Sequence, residues 1–213
     1  ITMREILAML RGSYCRTVGI EYMHITDNDQ RAWIQERFER PHVPWPREEH
    51  LRILDKLNEA EIEVVRQAAL MHDIGKIGCA LNLNKPGKLS QGEYEEFKRH
   101  PTYGRDIIDP IKFLHPLMPG VHLHHERWDG RGYPLGLQGS NIPAIARIIS
   151  VADTYDAMTS DRAYRRALPH EVSLNEIERC SGTQFDPELA NTFTESIEEY
   201  RAEELEAGRK IPD

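Results

Sequence analysis

Apolar positions recur at helical spacing along most of the chain. Val65, Ala69 and His72 fall on one face at a period of 3.6, so a long helix is expected from about residue 47 to 72. Helices are also expected over 3–11 and 29–40. The segment PHVPWP (41–46) interrupts them, because its three prolines exclude a helix interior. NLNKPGK (82–88) reads as a loop. Ser90 and Glu93 then have the spacing of a capping box and open a helix toward His100. The Gly-rich stretch DGRGYPLGLQGSN (129–141) separates two further helical regions. PAIARIISVADTYDAM (143–158) starts on proline, a good first helical residue, and reads as a buried helix. On periodicity alone a strand stays open for ARIISVA. Asp186 followed by Pro187 has the form of a cap and a first turn. The end, IEEYRAEELEAGRKIPD, reads as a charged helix that frays. There is no internal repeat and no run of alternating strands, so the expected fold class is all-α.

Composition narrows the class without changing this picture. Charged residues at 29% and hydrophobic residues at 39% describe a soluble globular protein. The 213 residues allow one good core, or a domain with an appendage. A net charge of −8 argues against duplex nucleic acid or an anionic membrane as partner. No apolar run approaches the ~20 residues of a membrane helix, and the first residues lack the apolar segment of a signal peptide. Cys15, Cys79 and Cys180 are odd in number and far apart, which suits reduced thiols. A cytoplasmic location is the expectation.

Candidate chemistry begins with LMHDIGKIG (70–78), where His72 and Asp73 are adjacent inside an apolar run. An uncompensated polar pair there would cost stability. His100 follows in KRHPTYG, His124 and His125 in HLHHERWDGRGYP, and Asp153 in SVADTYDAMTSDRAYR. Each residue alone reads as a surface or satisfied core residue. Together they form an ordered set, with steps of 28, 24 and 29 residues from His72 through His100 and His124 to Asp153. Imidazoles mixed with carboxylates suit Fe, Mn, Zn or Ni better than Ca or Mg. Lys76 lies four residues after His72. It either faces a developing negative charge or complements the helix dipole as a solvated lysine. The glycines at 130, 132, 136 and 139 either let backbone approach a ligand or only form a connector. Arg162 and Arg165 either grip a phosphate or base, or form a solvated basic face.

HDIGKIG (72–78), LNKPGKLSQGEYEEFKRHP (83–101), HHERWDGRGYP (124–134), ISVADTYDAMTSDRAYR (149–165) and GTQFDPEL (182–189) together resemble the HD-GYP branch of the HD metal-dependent phosphohydrolases. The similarity covers about residues 62–195. It implies a helical bundle around two or three divalent metal ions, Fe or Mn first, with Zn or Ni as alternatives. It further implies hydrolysis of cyclic di-GMP to a linear dinucleotide or GMP. The nucleophile would be a hydroxide bridging two metals ~3.5–4 Å apart. On this resemblance Asp73 would bridge two metals. His72 and Asp153 would hold the first, and His100, His124 and His125 the second or a third. Lys76 would face the scissile phosphate. Gly132, Tyr133 and Pro134 form the GYP signature, with Arg131 in the same loop. Arg162 and Arg165 would hold a guanine or the other phosphate. The GYP loop is where a protein partner would dock, and a homodimer is compatible with this reading.

The pattern departs from the family in one place. A further metal histidine, expected about 32 residues before the HD pair, falls near Arg40; His42 and His50 are displaced from it, and Glu36 lacks its partner histidine. Residues 1–61 instead resemble a segment of the thiamine-dependent component of 2-oxoglutarate dehydrogenase. They lack that enzyme's catalytic core, so no thiamine diphosphate is expected. The chain therefore divides into an N-terminal helical appendage (1–61), the HD-GYP-like domain (62–195) and a charged C-terminal helix or tail (196–213). Leu51, Leu54 and Leu57 would supply the stripe that packs the junction. The rival reading is a catalytically weak nucleotide sensor or scaffold that keeps the GYP loop.

Overall fold

The structure, a computed structural model, describes residues 57–79, 89–161 and 166–206. The expected helices at 3–11 and 29–40, the breaker at 41–46 and the loop at 82–88 lie outside these residues. So do Glu36, Arg40, His42, His50, Arg162 and Arg165. Seven α-helices follow one another among the described residues: α1 (Glu59–Met71), α2 (Gln91–Phe97), α3 (His100–Ile108), α4 (Met118–Leu123), α5 (Ala144–Thr159), α6 (His170–Arg179) and α7 (Pro187–Glu206). Short 3-10 helices at Ile74–Cys79, Lys112–Leu117 and Gly139–Asn141 link them. No strand occurs among the described residues; Ser181 and Phe185 form an isolated bridge. No described helix is long and apolar enough to cross a membrane.

Of the helix expected over 47–72, residues 47–56 lie outside the described residues, and the described helix begins at Glu59. Asn58, in extended conformation, accepts hydrogen bonds from the Ala60 and Glu61 amides, and the Glu61 carboxylate accepts from the Asn58 amide. This capping box starts α1 at Glu59. Val65, Ala68, Ala69 and His72 line the buried side, as the period requires. The α-helix ends at Met71, and residues 74–79 tighten into a 3-10 turn. Lys76 therefore sits on that turn, not one α-helical turn beyond His72.

Ser90 and Glu93 form the expected capping box at α2. That helix stops at Phe97, and α3 begins on His100 itself. Pro143 occupies the cap of α5, one residue earlier than expected of a first helical residue. ARIISVA is helical throughout, and Ile148, Ile149, Val151 and Ala152 are buried. Asp186 caps α7 by accepting from the Glu188 amide at 2.9 Å. The helix α7 runs without interruption across residue 195.

The core joins α1, α5, α6 and α7 through Val65, Ala69, Ile149, Ala152, Tyr155, Ile177 and Phe193. Close approaches then carry polar residues to one end of it. Gly120 of α4 meets Ala68 of α1, where an added methyl would come within 2.8 Å of the Ala68 side chain. This contact brings the end of α4 beside the end of α1. Gly75 lies against α3; a methyl there would fall 1.9 Å from the His100 carbonyl oxygen and 2.3 Å from the Gly104 nitrogen. The turn after Asp73 and the start of α3 can touch only without a side chain at Gly75. Gly75→Ala is expected to destabilise the fold by ~1–3 kcal/mol or more, the range of overpacked cores. Urea unfolding monitored by circular dichroism checks this, and an unchanged midpoint would contradict the packing described.

Candidate metal centre

Four elements supply one polar cluster. The end of α1 gives His72 and Asp73, the start of α3 gives His100, the end of α4 gives His124 and His125, and α5 gives Asp153. His72 Nε2 lies 3.2 Å from Asp73 Oδ2 and 3.6 Å from Asp153 Oδ1. His100 Nε2 and His124 Nε2 lie 3.4 and 4.0 Å from Asp73 Oδ1. The His125 ring sits 4.2 Å from His124 and 4.9 Å from His100, centroid to centroid. Asp73 is thus common to three imidazoles, and all six expected ligands are brought together.

Backbone carbonyls orient the rings. Nδ1 of His72 donates to Ala69 O at 2.8 Å, Nδ1 of His100 to Phe97 O at 2.8 Å, and Nδ1 of His124 to Val121 O at 3.0 Å. A carbonyl can only accept, so each Nδ1 carries a proton and each Nε2 points inward. In the neutral rings, Nε2 of His100 and of His124 then face each other as two acceptors 3.3 Å apart. Such an arrangement is repulsive unless a cation or proton sits between them. His72 Nε2 and Asp73 Oδ1 are buried without a hydrogen-bond partner in the structure. Orphaned inward atoms with outward nitrogens tied to carbonyls are what a divalent-ion site requires. Two overlapping triads, His72–Asp73–His124 and His100–His124–His125, each place one donor atom per residue within 4.8 Å of the others.

The electrostatics agree. Burial opposes charge on His72, but the neighbouring Asp73 and Asp153 carboxylates outweigh it and raise its pKa to about 10. Burial likewise opposes charge on Asp73, yet His72 and Lys76 hold its carboxyl well below the usual range. Asp153 is also lowered, chiefly by His72 against its own burial. Burial, and then the neighbouring imidazoles, keep His124 neutral. Burial and the adjacent His100 bring His125 down to about 3. Lys76 Nζ donates to Asp73 Oδ2, half-buried, and stands over the Phe97 ring.

The Gly-rich loop covers one side. The Tyr133 ring stacks on His125 with centroids 4.8 Å apart, and its amide donates to His125 O at 3.2 Å. Gly132 permits this: a methyl there would lie 2.4 Å from the Arg127 nitrogen and 2.6 Å from His125 O. Tyr133–Pro134 is a cis peptide bond, and Arg131 is exposed with its amide donating to Asp129. Sequence reasoning missed Glu126, whose buried carboxylate accepts three backbone amides of the same loop. The available signal was an acid directly after His124–His125, beside an apolar and Gly-rich turn.

The HD-domain family model matches residues 37–189. The chain belongs to the HD-domain family. The match begins upstream of residue 61 and takes in the whole cluster. A cyclic di-GMP phosphodiesterase of Thermotoga maritima is 40% identical over 169 residues, 73% of this chain and 45% of that protein. A cyclic di-GMP phosphodiesterase response regulator of Xanthomonas campestris is 40% identical over 140 residues, 64% of this chain and 37% of its own length. The chain spans less than half the length of these curated relatives. Among solved structures, an HD-GYP-type protein of Bdellovibrio bacteriovorus is similar with a TM-score of 0.57 at 19% identity, over 70% of this chain and 47% of that one. A cyclic GMP-AMP-specific phosphodiesterase of Vibrio cholerae gives 0.55 at 21% identity, over 73% and 42%. At these identities the structures establish a shared HD-type fold.

One pH dependence follows from His72. Its folded pKa of about 10 lies above the ordinary value near 6.5. Its contribution to stability is complete below about pH 6.5 and is lost as pH rises toward 10. Thermal unfolding of chelator-treated protein should show Tm falling over that window. Asp153→Asn, which removes one of the carboxylates facing His72, should make the fall shallower, whereas equal slopes would contradict the assignment.

Proposed function

We propose that this domain hydrolyses cyclic di-GMP as a metal-dependent phosphodiesterase. The observation that carries the reading is the convergence of imidazole Nε2 atoms on Asp73, with buried polar atoms left unpaired. The names of the 40%-identical relatives support the substrate class. His72, Asp73 and Asp153 would hold one divalent ion, and His100, His124 and His125, sharing Asp73, would hold another. Two or three ions, with Fe or Mn first, suit this donor set. When bound, such ions supply Lewis acidity and a hydroxide nucleophile at neutral pH.

The chain's own groups have separable tasks. Asp73 keeps the imidazoles in one orientation through its shared charge. Lys76 brings a half-buried cation to the same edge and stabilises negative charge developing on the phosphoryl oxygens. Tyr133 forms an aromatic wall over His125 and limits water on that side. Arg131, Gly132 and Pro134 shape the loop around the entering nucleotide. Arg162 and Arg165 are carried into this proposal by the sequence resemblance alone, as contacts to a base or the second phosphate.

The test is chromatography of products from cyclic di-GMP after loading the purified protein with Mn²⁺ or Fe²⁺, with 3′3′-cGAMP assayed in parallel. Linear dinucleotide or GMP is the expected product. Lys76→Met should lower kcat by ~10²–10³ while metal content is kept. Bound metal without turnover of cyclic di-GMP would contradict the catalytic reading and favour the sensor.

A further inference from the structure

We propose that Glu126 is a positioning residue that closes the GYP loop onto the metal centre and thereby fixes His125. It rests on the reading that His125 is a ligand, but the clamp itself is geometric. The side chain is 2% exposed. One carboxylate oxygen accepts from the Leu135 amide at 2.6 Å and the Gly136 amide at 3.1 Å; the other accepts from the Leu137 amide at 2.8 Å. A buried carboxylate with three convergent N–H donors makes strong, charge-assisted bonds, and it joins residue 126 to residues nine to eleven positions later.

The clamp sits directly beside the ligand pair in sequence. His125 O receives the Tyr133 amide, and the two rings stack. One residue on, the Glu126 carboxylate holds the chain that leaves Tyr133. The loop is thus gripped on both sides of Tyr133–Pro134, and the stacked ring limits rotation of the His125 imidazole. The other flank is anchored separately: the Trp128 amide donates to Gln184 O at 3.1 Å and the Asp129 amide to Thr183 O at 2.8 Å. Glu126 secures the flank those bonds do not reach. Its three donors are all main-chain amides, so Gln cannot replace it: the Gln amide group would set a donor against a donor.

The experiment compares wild type with Glu126→Gln on full chains, reading Mn²⁺ binding by calorimetry, metal content by mass spectrometry, and Tm. The expected result is a folded protein whose Kd for the weaker Mn²⁺ step rises about tenfold or more, the scale of lost outer-shell support. The tighter step should change less, because the Glu126 bonds go to Leu135, Gly136 and Leu137 and none goes to His72 or Asp153. If the wild type turns over cyclic di-GMP, kcat should fall more than KM rises. If it does not, the Mn²⁺ arm still decides the matter, so this inference and the proposed activity fail separately. Where Glu126→Gln gives too little folded protein, Glu126→Asp withdraws the carboxylate by one methylene and is read the same way. A folded variant that loses Tm but binds Mn²⁺ as the wild type does would overturn the proposal and leave Glu126 a stability residue only.

Discussion

One buried carboxylate organises this molecule. Asp73 lies among His72, His100, His124 and Lys76, basic groups drawn from separate elements. With Asp153 it raises the His72 pKa, and His72 and Lys76 in turn lower that of Asp73. A cluster of this kind is expensive to bury unless paired. The cost explains why the backbone is so constrained around it: three carbonyls fix three imidazoles, and a glycine lets α3 meet the turn after Asp73.

The fold serves that cluster by closeness of approach more than by bulk. Its apolar core lies among α1, α5, α6 and α7, and the ligands gather where the ends of α1 and α4 and the start of α3 meet the half-buried Asp153 of α5. The Gly-rich loop packs Leu137 against Leu123, Ile142 and Ala146, and polar anchors hold the rest. These are the Gln184 and Thr183 carbonyls, the Glu126 carboxylate, and Arg147, which pairs with Asp186, donates to Ile142 O and stands over Trp128. These bonds tie the loop to α5, to the start of α7 and to the segment that carries His125.

Much of this was legible in the residues. The caps at Ser90 and Asp186 have local signatures, and local hydrogen bonds honour them. The six candidate ligands stood out because histidine and aspartate in apolar surroundings need a reason. What was not legible depends on contacts distant in sequence. Asn58 looked like an ordinary polar position inside a run of helix formers, so the break before Glu59 was missed. Gly75 gave no sign that it faced His100, because only the packed turn makes its missing side chain necessary. Glu126 read as one acid among many; its importance comes from three amides that the loop turns toward it. Lys76 sits on a 3-10 turn instead of the α-helical turn expected after His72, and its ion pair with Asp73 was not foreseen.

Anomalous diffraction from crystals grown with Mn²⁺ tests the central claim most directly. The account predicts an anomalous peak within coordination distance of the Asp73 carboxylate and His72 Nε2, and a second beside Nε2 of His100 and His124. Crystals in which the carboxylates and imidazoles pair with one another, with no peak near Asp73, would contradict it.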